Sequence, residues 1–346
     1  MKYQQPYGVS DPNASYVNGN PAAGTAGSIP PAAAIEHAQR ELVHFIQWVL
    51  TDPADRGALN NGIPFKIGTT IPSAGDLQQL RKALTLMFPS LLPLNAEVFV
   101  RPGGNNDNDG QSNDDAHAFA DMVGVINYAQ RFTGANRLKV TVAPGTYPSW
   151  RVDNLPVGLD IVGDTSTDNV VFDTSSVGVN RGCIEVLRGS DISLTKIAYG
   201  STSPGSYGLV AANASRVLTN GLWLRGAPRA DIIAQSNSAI TLGGAISVAA
   251  GTREAVVSAD NSGIVIARVD IVPTFSFPAT INVTSGFVTA FIAAIVRLAG
   301  ASFTSPSNVA GRRYLAAEGG IVSSGGGGAT FYPGSTAGDA STGTYY

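Results

Sequence analysis

Five stretches begin alike: SDISLTKI (190–197), SRVLTNGLWL (215–224), SAITLGGAISV (238–248), SGIVIARVDIV (262–272) and SGFVTAFIAAI (285–295). Each starts on a serine and continues with short apolar runs. The serines Ser190, Ser215, Ser238, Ser262 and Ser285 follow one another at a nearly constant interval. In four of the five windows a run such as EVL, VAA, VVS or INV precedes the serine by a few residues. A period in the twenties marks supersecondary units that stack, because one such unit cannot bury its apolar face alone. A leucine-rich solenoid would need regular Leu and Asn positions, which are missing. A parallel β-helix fits: about three short strands per coil, with apolar residues stacked inside. The repeated serine is read as a turn residue without a catalytic role.

Upstream, RLKVTVAPGTY (137–147), GLDIVGD (158–164) and NVVFDTS (169–175) are short strands split by turn residues. Before them stands RPGGNNDNDGQSNDDAHAFADMVGVINYAQRF (101–132). Three readings compete there: a calcium loop, a linker, or an elaborate turn that opens a domain. Asn105, Asp107, Asp109 and Gly110 follow the first half of an EF-hand loop, but the twelfth position is Ala116 where a bidentate Glu belongs. Metal is therefore not expected. Phe119, Met122, Val123, Ile126 and Ala129 share one helical face, with Asp114 or Asp115 as the cap. The stretch reads as strand, Asx-rich turn and capped helix.

Four regions result. Residues 1–34 carry two charges, Lys2 and Asp11, among many Pro, Gly, Asn and Ala, and form an extended arm with Tyr3, Pro6, Tyr7, Tyr16, Pro30 and Pro31 as contacts. Residues 35–94 hold two amphipathic helices. Ile35, Leu42, Phe45, Ile46 and Val49 face one way in the first, and Leu77, Leu80 and Leu84 in the second. They are too short for a core of their own and must pack on a neighbour or on copies of themselves. Residues 95–300 are the β-helix, and the Gly-rich 301–346 its cap, needed because a solenoid leaves an open edge.

Composition narrows the function. Charged residues are 14% of the 346, against about 25% in typical domains, and there are 40 glycines. The net charge is −3 and no basic stripe is present, so nucleic acid is not an expected partner. One cysteine, Cys183, and three histidines leave no Cys- or His-based metal centre, and no cofactor is expected. The N-terminus lacks the apolar core of a signal peptide, and no apolar run reaches the ~18 residues of a membrane span. A chain made in a cytoplasm and not exported by the usual signal is expected.

Several segments resemble a known family. PYGVSDPNASYVNGNPAAGTAGSIPPAAAIEHAQRELV (6–43) is similar to the attachment segment of bacteriophage tail fibres, and IPSAGDLQQLRKAL (71–84) to a helix that follows it there. VRPGGNNDNDGQSNDDAHAF (100–119) resembles the turn that opens right-handed β-helices in tail fibres and tailspikes, departing at Asn106, where Asp or Ser is more usual. GGGGATFYPGSTAGDASTGTYY (325–346) looks like a recurrent tail-fibre C-terminus. The resemblance implies a homotrimer in the virion, joined to the baseplate by its N-termini.

Some β-helices of this kind cleave polysaccharide with two carboxylates, about 5–5.5 Å apart for retention or about 6.5–9.5 Å for inversion. In the repeat frame Asp231 and Glu254 align, Asp231 standing as far past Ser215 as Glu254 stands past Ser238. Arg229 and Arg253 lie beside them, so a solvated ion-pair cluster is the plainer reading. Trp150, Tyr199, Tyr207 and Trp223 are candidate glycan contacts, since flat rings stack on sugars and anchor interfaces. The expected protein is a structural tail fibre or short tailspike that binds host polysaccharide. The alternatives are a polysaccharide depolymerase, hydrolase or lyase, and a bacterial adhesin.

Overall fold

A computed structural model describes residues 6–10, 17, 20–24, 26–28, 90–163, 169–174 and 180–346. It divides into two units, Met1–Ser90 and Leu91–Tyr346. In the first, a 3-10 turn, Pro21–Ala23, follows Asn20, and Val17 and Ser28 exchange hydrogen bonds. Tyr7 is exposed beside a turn closed by Val9 N donating to Pro6 O. Tyr3, Tyr16, Pro30, Pro31 and both helices expected within 35–94 lie outside the described residues.

The second unit is a parallel β-solenoid of about eight coils, as the repeat predicts. Each coil crosses three faces. Strands such as Arg137–Val142, Gly158–Gly163, Ala239–Leu242 and Ile264–Ala267 build the first face. Gly145–Tyr147, Ala245–Val248 and Thr274–Ser276 build the second. Gly182–Leu187, Tyr207–Ala212, Ala230–Gln235 and Gly251–Asp260 build the third. Asp191–Ser201 and Arg216–Gly226 bend and serve both first and second faces.

Parallel register stacks like on like inside. On the first face Leu138, Leu159, Ile192, Val217, Ile240, Val265, Val296 and Val322 form one continuous buried column. A fully buried aliphatic side chain is worth roughly 1.5–3 kcal/mol, so the column is a principal source of stability.

The coil closes at a repeated corner of two consecutive left-handed residues. They are Arg188-Gly189, Asn213-Ala214, Ser236-Asn237, Asn261-Ser262, Ile292-Ala293 and Glu318-Gly319. Corner amides donate to the corner above: Gly189 N to Asn213 O, Ala214 N to Ser236 O and Ser262 N to Ile292 O; at the last corner Gly319 N donates to Thr342 O. Ser190, Ser215 and Ser238 follow the corner and are buried. The hydroxyls of Ser190 and Ser215 donate to the carbonyls of Leu187 and Ala212, both at 2.8 Å. Ser238 Oγ accepts from Ser215 N, and Ser190 Oγ from Leu155 N. The serine is thus a corner residue, and it also satisfies buried amides of the preceding coil.

Ile292 is the misfit of the series. A β-branched residue in the left-handed region is strained, and this one is 46% exposed, so it gains little from burial. Ile292→Asn, matching Asn213 and Asn261, is expected to stabilise by up to ~1 kcal/mol, read as a higher midpoint in chemical denaturation. A lower midpoint would mean that the side chain contributes more than its corner costs.

The Asn/Asp stretch forms a turn between the strand Glu97–Val100 and the helix Met122–Ala129. Its side chains bind its own backbone. Asn105 Oδ1 accepts from Asp107 N, Asp109 Oδ1 from Gln111 N, and Asp114 Oδ1 from the Ala116 and His117 amides. The bonds from Ser112 and then His117 hold the Asp114 carboxyl down at about 2. The helix cap is Asp121, whose Oδ1 accepts from Val123 N; Asp114 and Asp115 do not cap it. Asn106 joins turn to helix. Its Oδ1 accepts from Ala120 N and Asp121 N, while its Nδ2 donates to Asp121 Oδ1 at 2.8 Å. An amide can do both, whereas a carboxylate would face Asp121 with like charge. Asn106→Asp should therefore cost about 1–3 kcal/mol in denaturant melts, the scale of a lost charge-assisted bond.

The segment 301–346 continues the solenoid. Ile321–Ser323 pairs with Ile295–Arg297 and in turn with Thr344–Tyr345, and Tyr314–Ala316 extends the third face. The segment's Tyr332 joins the buried Phe275, Phe277 and Phe287 of the preceding coil in an aromatic cluster that the partly buried Phe303 and Phe331 complete.

Candidate functional site

The two acids that align in the repeat frame, Asp231 and Glu254, do not stack in the structure. Ala230 stands beside Ala255 and Ile232 beside Val257, so Asp231 is level with Val256 and not with Glu254. This face advances by a longer step than the serine interval that aligned the two acids. They consequently take opposite sides of the sheet, and both lie on or beside strands, not in turns. Asp231 points inward, 1% exposed, and pairs with Arg253, also 1% exposed. Glu254 points outward, its side chain 51% exposed, against Arg229 at 3.6 Å. The solvated cluster expected here is thus half a buried ion pair.

Two of the four candidate aromatics are internal: Trp150 packs edge-on against Phe172 and Tyr199 is fully enclosed. Tyr207 lies on the outer side of the third face, covered by the guanidinium of Arg229. Sequence could not separate the internal rings from surface rings, because inward and outward positions differ by a single residue in a strand. Trp223 alone of the four keeps partial exposure, with the Arg225 guanidinium 5.6 Å from its ring centroid. Its neighbours in register, Ala198 and Ser247, are small and leave the ring raised above the second face.

The outer surface of the first face carries a constellation that the sequence reading missed. Arg137, Asp160, Asp191, Ser193, Arg216, Leu218, Ala239 and Thr241 line a groove with a cavity of ≈ 370 Å³. Register places these residues, in two parallel rows. Asp191, Arg216, Ala239 and Ile264 follow one another coil by coil, and Asp160, Ser193, Leu218 and Thr241 do the same beside them. Ala239 is the shallow position that opens the hollow between Arg216 and Ile264. At the opposite end Gly158 makes room for Arg137, since a Cβ there would come within 2.5 Å of Arg137 Nη1. Arg137 crosses it to donate from Nε to Asp160 Oδ1 at 2.7 Å and from Nη2 to Leu159 O at 2.9 Å. Its Nη1 lies 3.0 Å from Asp191 Oδ2. A recognisable signal existed in the period-two polar positions of strands already identified, but only the register brings them together.

A second, smaller hollow on the third face is lined by Tyr207, Arg229, Glu254, Ser258, Asp260 and Thr289. Thr289 Oγ1 donates to Ser258 Oγ there, so these two hydroxyls are bonded to each other. Among the described residues, no group of three His, Cys, Asp or Glu is placed to hold a metal ion, and no helix is long and apolar enough to cross a membrane.

No family model matches the chain. Curated proteins and solved structures likewise provide no match.

Proposed function

We propose that this chain is a structural component of a bacteriophage tail fibre or short tailspike, a homotrimer held at the baseplate by its N-terminal arm, whose solenoid binds polysaccharide on the host surface. The observation that carries the binding part is the groove on the first face. It combines hydroxyls, carboxylates and guanidinium groups along a line of coils spaced about 4.8 Å apart, a geometry suited to a chain of sugar hydroxyls. The solenoid fold and the order of the segments from 6–43 to 325–346 support the fibre reading.

Three measurements test it. Light scattering should give about three times 35.6 kDa, and a clean monomer at micromolar concentration removes the trimer. Protein lacking 1–34 should remain a soluble, β-rich oligomer but fail to enter particles that lack their own copy; equal incorporation removes the attachment role. Incubation with host surface polysaccharide should leave the polymer at its original size. Shortening would favour the depolymerase reading, for which the groove's Asp160 and Asp191 are the acids to replace.

A further inference from the structure

Resting on the glycan-binding reading, we propose that the first-face groove selects an anionic saccharide, with Arg216 as the residue that holds its charged group. Asp191 and Arg216 stand side by side in the parallel register. Asp191 is nevertheless committed to Arg137, whose Nε and both terminal nitrogens are occupied by Asp160, Leu159 and Asp191. Lys139, farther along the same face, is paired with Glu97 at 2.9 Å. Among the described residues, the guanidinium of Arg216 has no ion-pair or side-chain hydrogen-bond partner, and it lines the cavity.

The pieces fit one ligand class. A guanidinium presents a planar fork of donors that matches a carboxylate or phosphate in two parallel bonds. Ser193 and Thr241, one coil to either side of the Leu218 position in the adjoining row, offer hydroxyls that donate or accept, as ring hydroxyls require. Leu218 supplies an apolar patch for the face of a sugar ring, and Ala239 leaves the depth for it. A neutral glycan would use the hydroxyls and Leu218 but leave the Arg216 fork without a partner, so the charged group is the source of selectivity. The anion can be a uronate carboxylate or a phosphate substituent.

The experiment is an array of immobilised bacterial polysaccharides, some bearing uronate, some bearing phosphate and some neutral, probed with the full chain. Binding should be confined to the charged polymers and weaken with added salt. It should fall about tenfold or more in Arg216→Ala, the scale of a hydrogen-bonded charge, while circular dichroism stays unchanged. Arg216→Lys should retain the preference for charge with reduced affinity. Preference for uronate over phosphate, or the reverse, identifies the anion. Equal binding to neutral polymers, or binding of charged polymers unaltered in Arg216→Ala, overturns this proposal and leaves the glycan-binding reading standing. Absence of binding to every polymer overturns both.

Discussion

Replacing Asp231 with Ala should destabilise the solenoid by about 3–5 kcal/mol, the range for a buried ion pair that loses one member. Arg253 is enclosed, and its described partners are Asp231 and the Ala249 carbonyl at 2.7 Å. Its Nε is buried without a partner. Removing the carboxylate leaves a guanidinium in the core with one backbone acceptor. The pair is nonetheless costly as it stands. Burial raises the Asp231 carboxyl above its ordinary value, against the opposing pull of Arg253. A folded-state value above 3.8 means that the native chain binds this proton more readily than the unfolded chain does. The carboxyl's contribution therefore favours folding most below pH 3.8, and is lost as the pH rises through the elevated value. Asp231→Leu combined with Arg253→Met should recover most of the loss from the single change. Denaturant melts of wild type, both single variants and the double variant check this. Equal destabilisation in the double and single variants would mean that the pair is net favourable.

Phe287→Ala is the second large change, at about 3–5 kcal/mol. The ring is fully buried and meets Phe275 and Phe277 at 5.7 Å, Phe303 at 5.8 Å and Tyr332 at 6.5 Å between centroids. Those partners come from three successive coils, so the void would loosen each of them. Because coils contact mainly their neighbours, the damage should stay local. Hydrogen exchange should accelerate from about Thr274 onward while the coils around Leu138 to Leu159 keep their protection. Uniform acceleration along the chain would show that the solenoid opens as one cooperative block.

How far the sequence reveals the fold depends on where a repeat is tied to a physical requirement. Ser190, Ser215 and Ser238 are equivalent in the structure as the spacing implies, because each must enter the interior after the same corner. Ser262 is one residue early: it is the second left-handed residue of its corner, and Gly263 takes the position after it. Ser285 is on another face altogether. The next equivalent of Ile264 is Ile295, a longer step than the three that lead from Asp191 to Ile264. That coil admits a loop around Val269 and Asp270 and the extended strand Ile281–Ala290. Added residues in a loop cost little, so nothing in local composition betrays them. The groove was illegible for a related reason. Arg137, Asp160 and Asp191 look like scattered surface charges until the register lines them up, and one misplaced step moves a side chain to the opposite side. The entry turn was the clearest part, since Asn and Asp at such density bind backbone amides wherever they stand. Its helix cap was misjudged because three acids, Asp114, Asp115 and Asp121, compete for that role in one short stretch.

The stacked corners make the solenoid a ruler. Each closes its coil at the same point whatever the length of the other two sides, as the unequal steps from Arg216 to Ala239, to Ile264 and to Ile295 show. Reach along the axis is then counted in whole coils of about 4.8 Å, independent of how many residues a coil spends. A gene could lengthen or shorten such a rod by duplicating or losing a segment such as 239–263, joining Ser238 to Ile264 with the corner intact. Surface loops would meanwhile diverge on a scaffold that leaves their spacing unchanged.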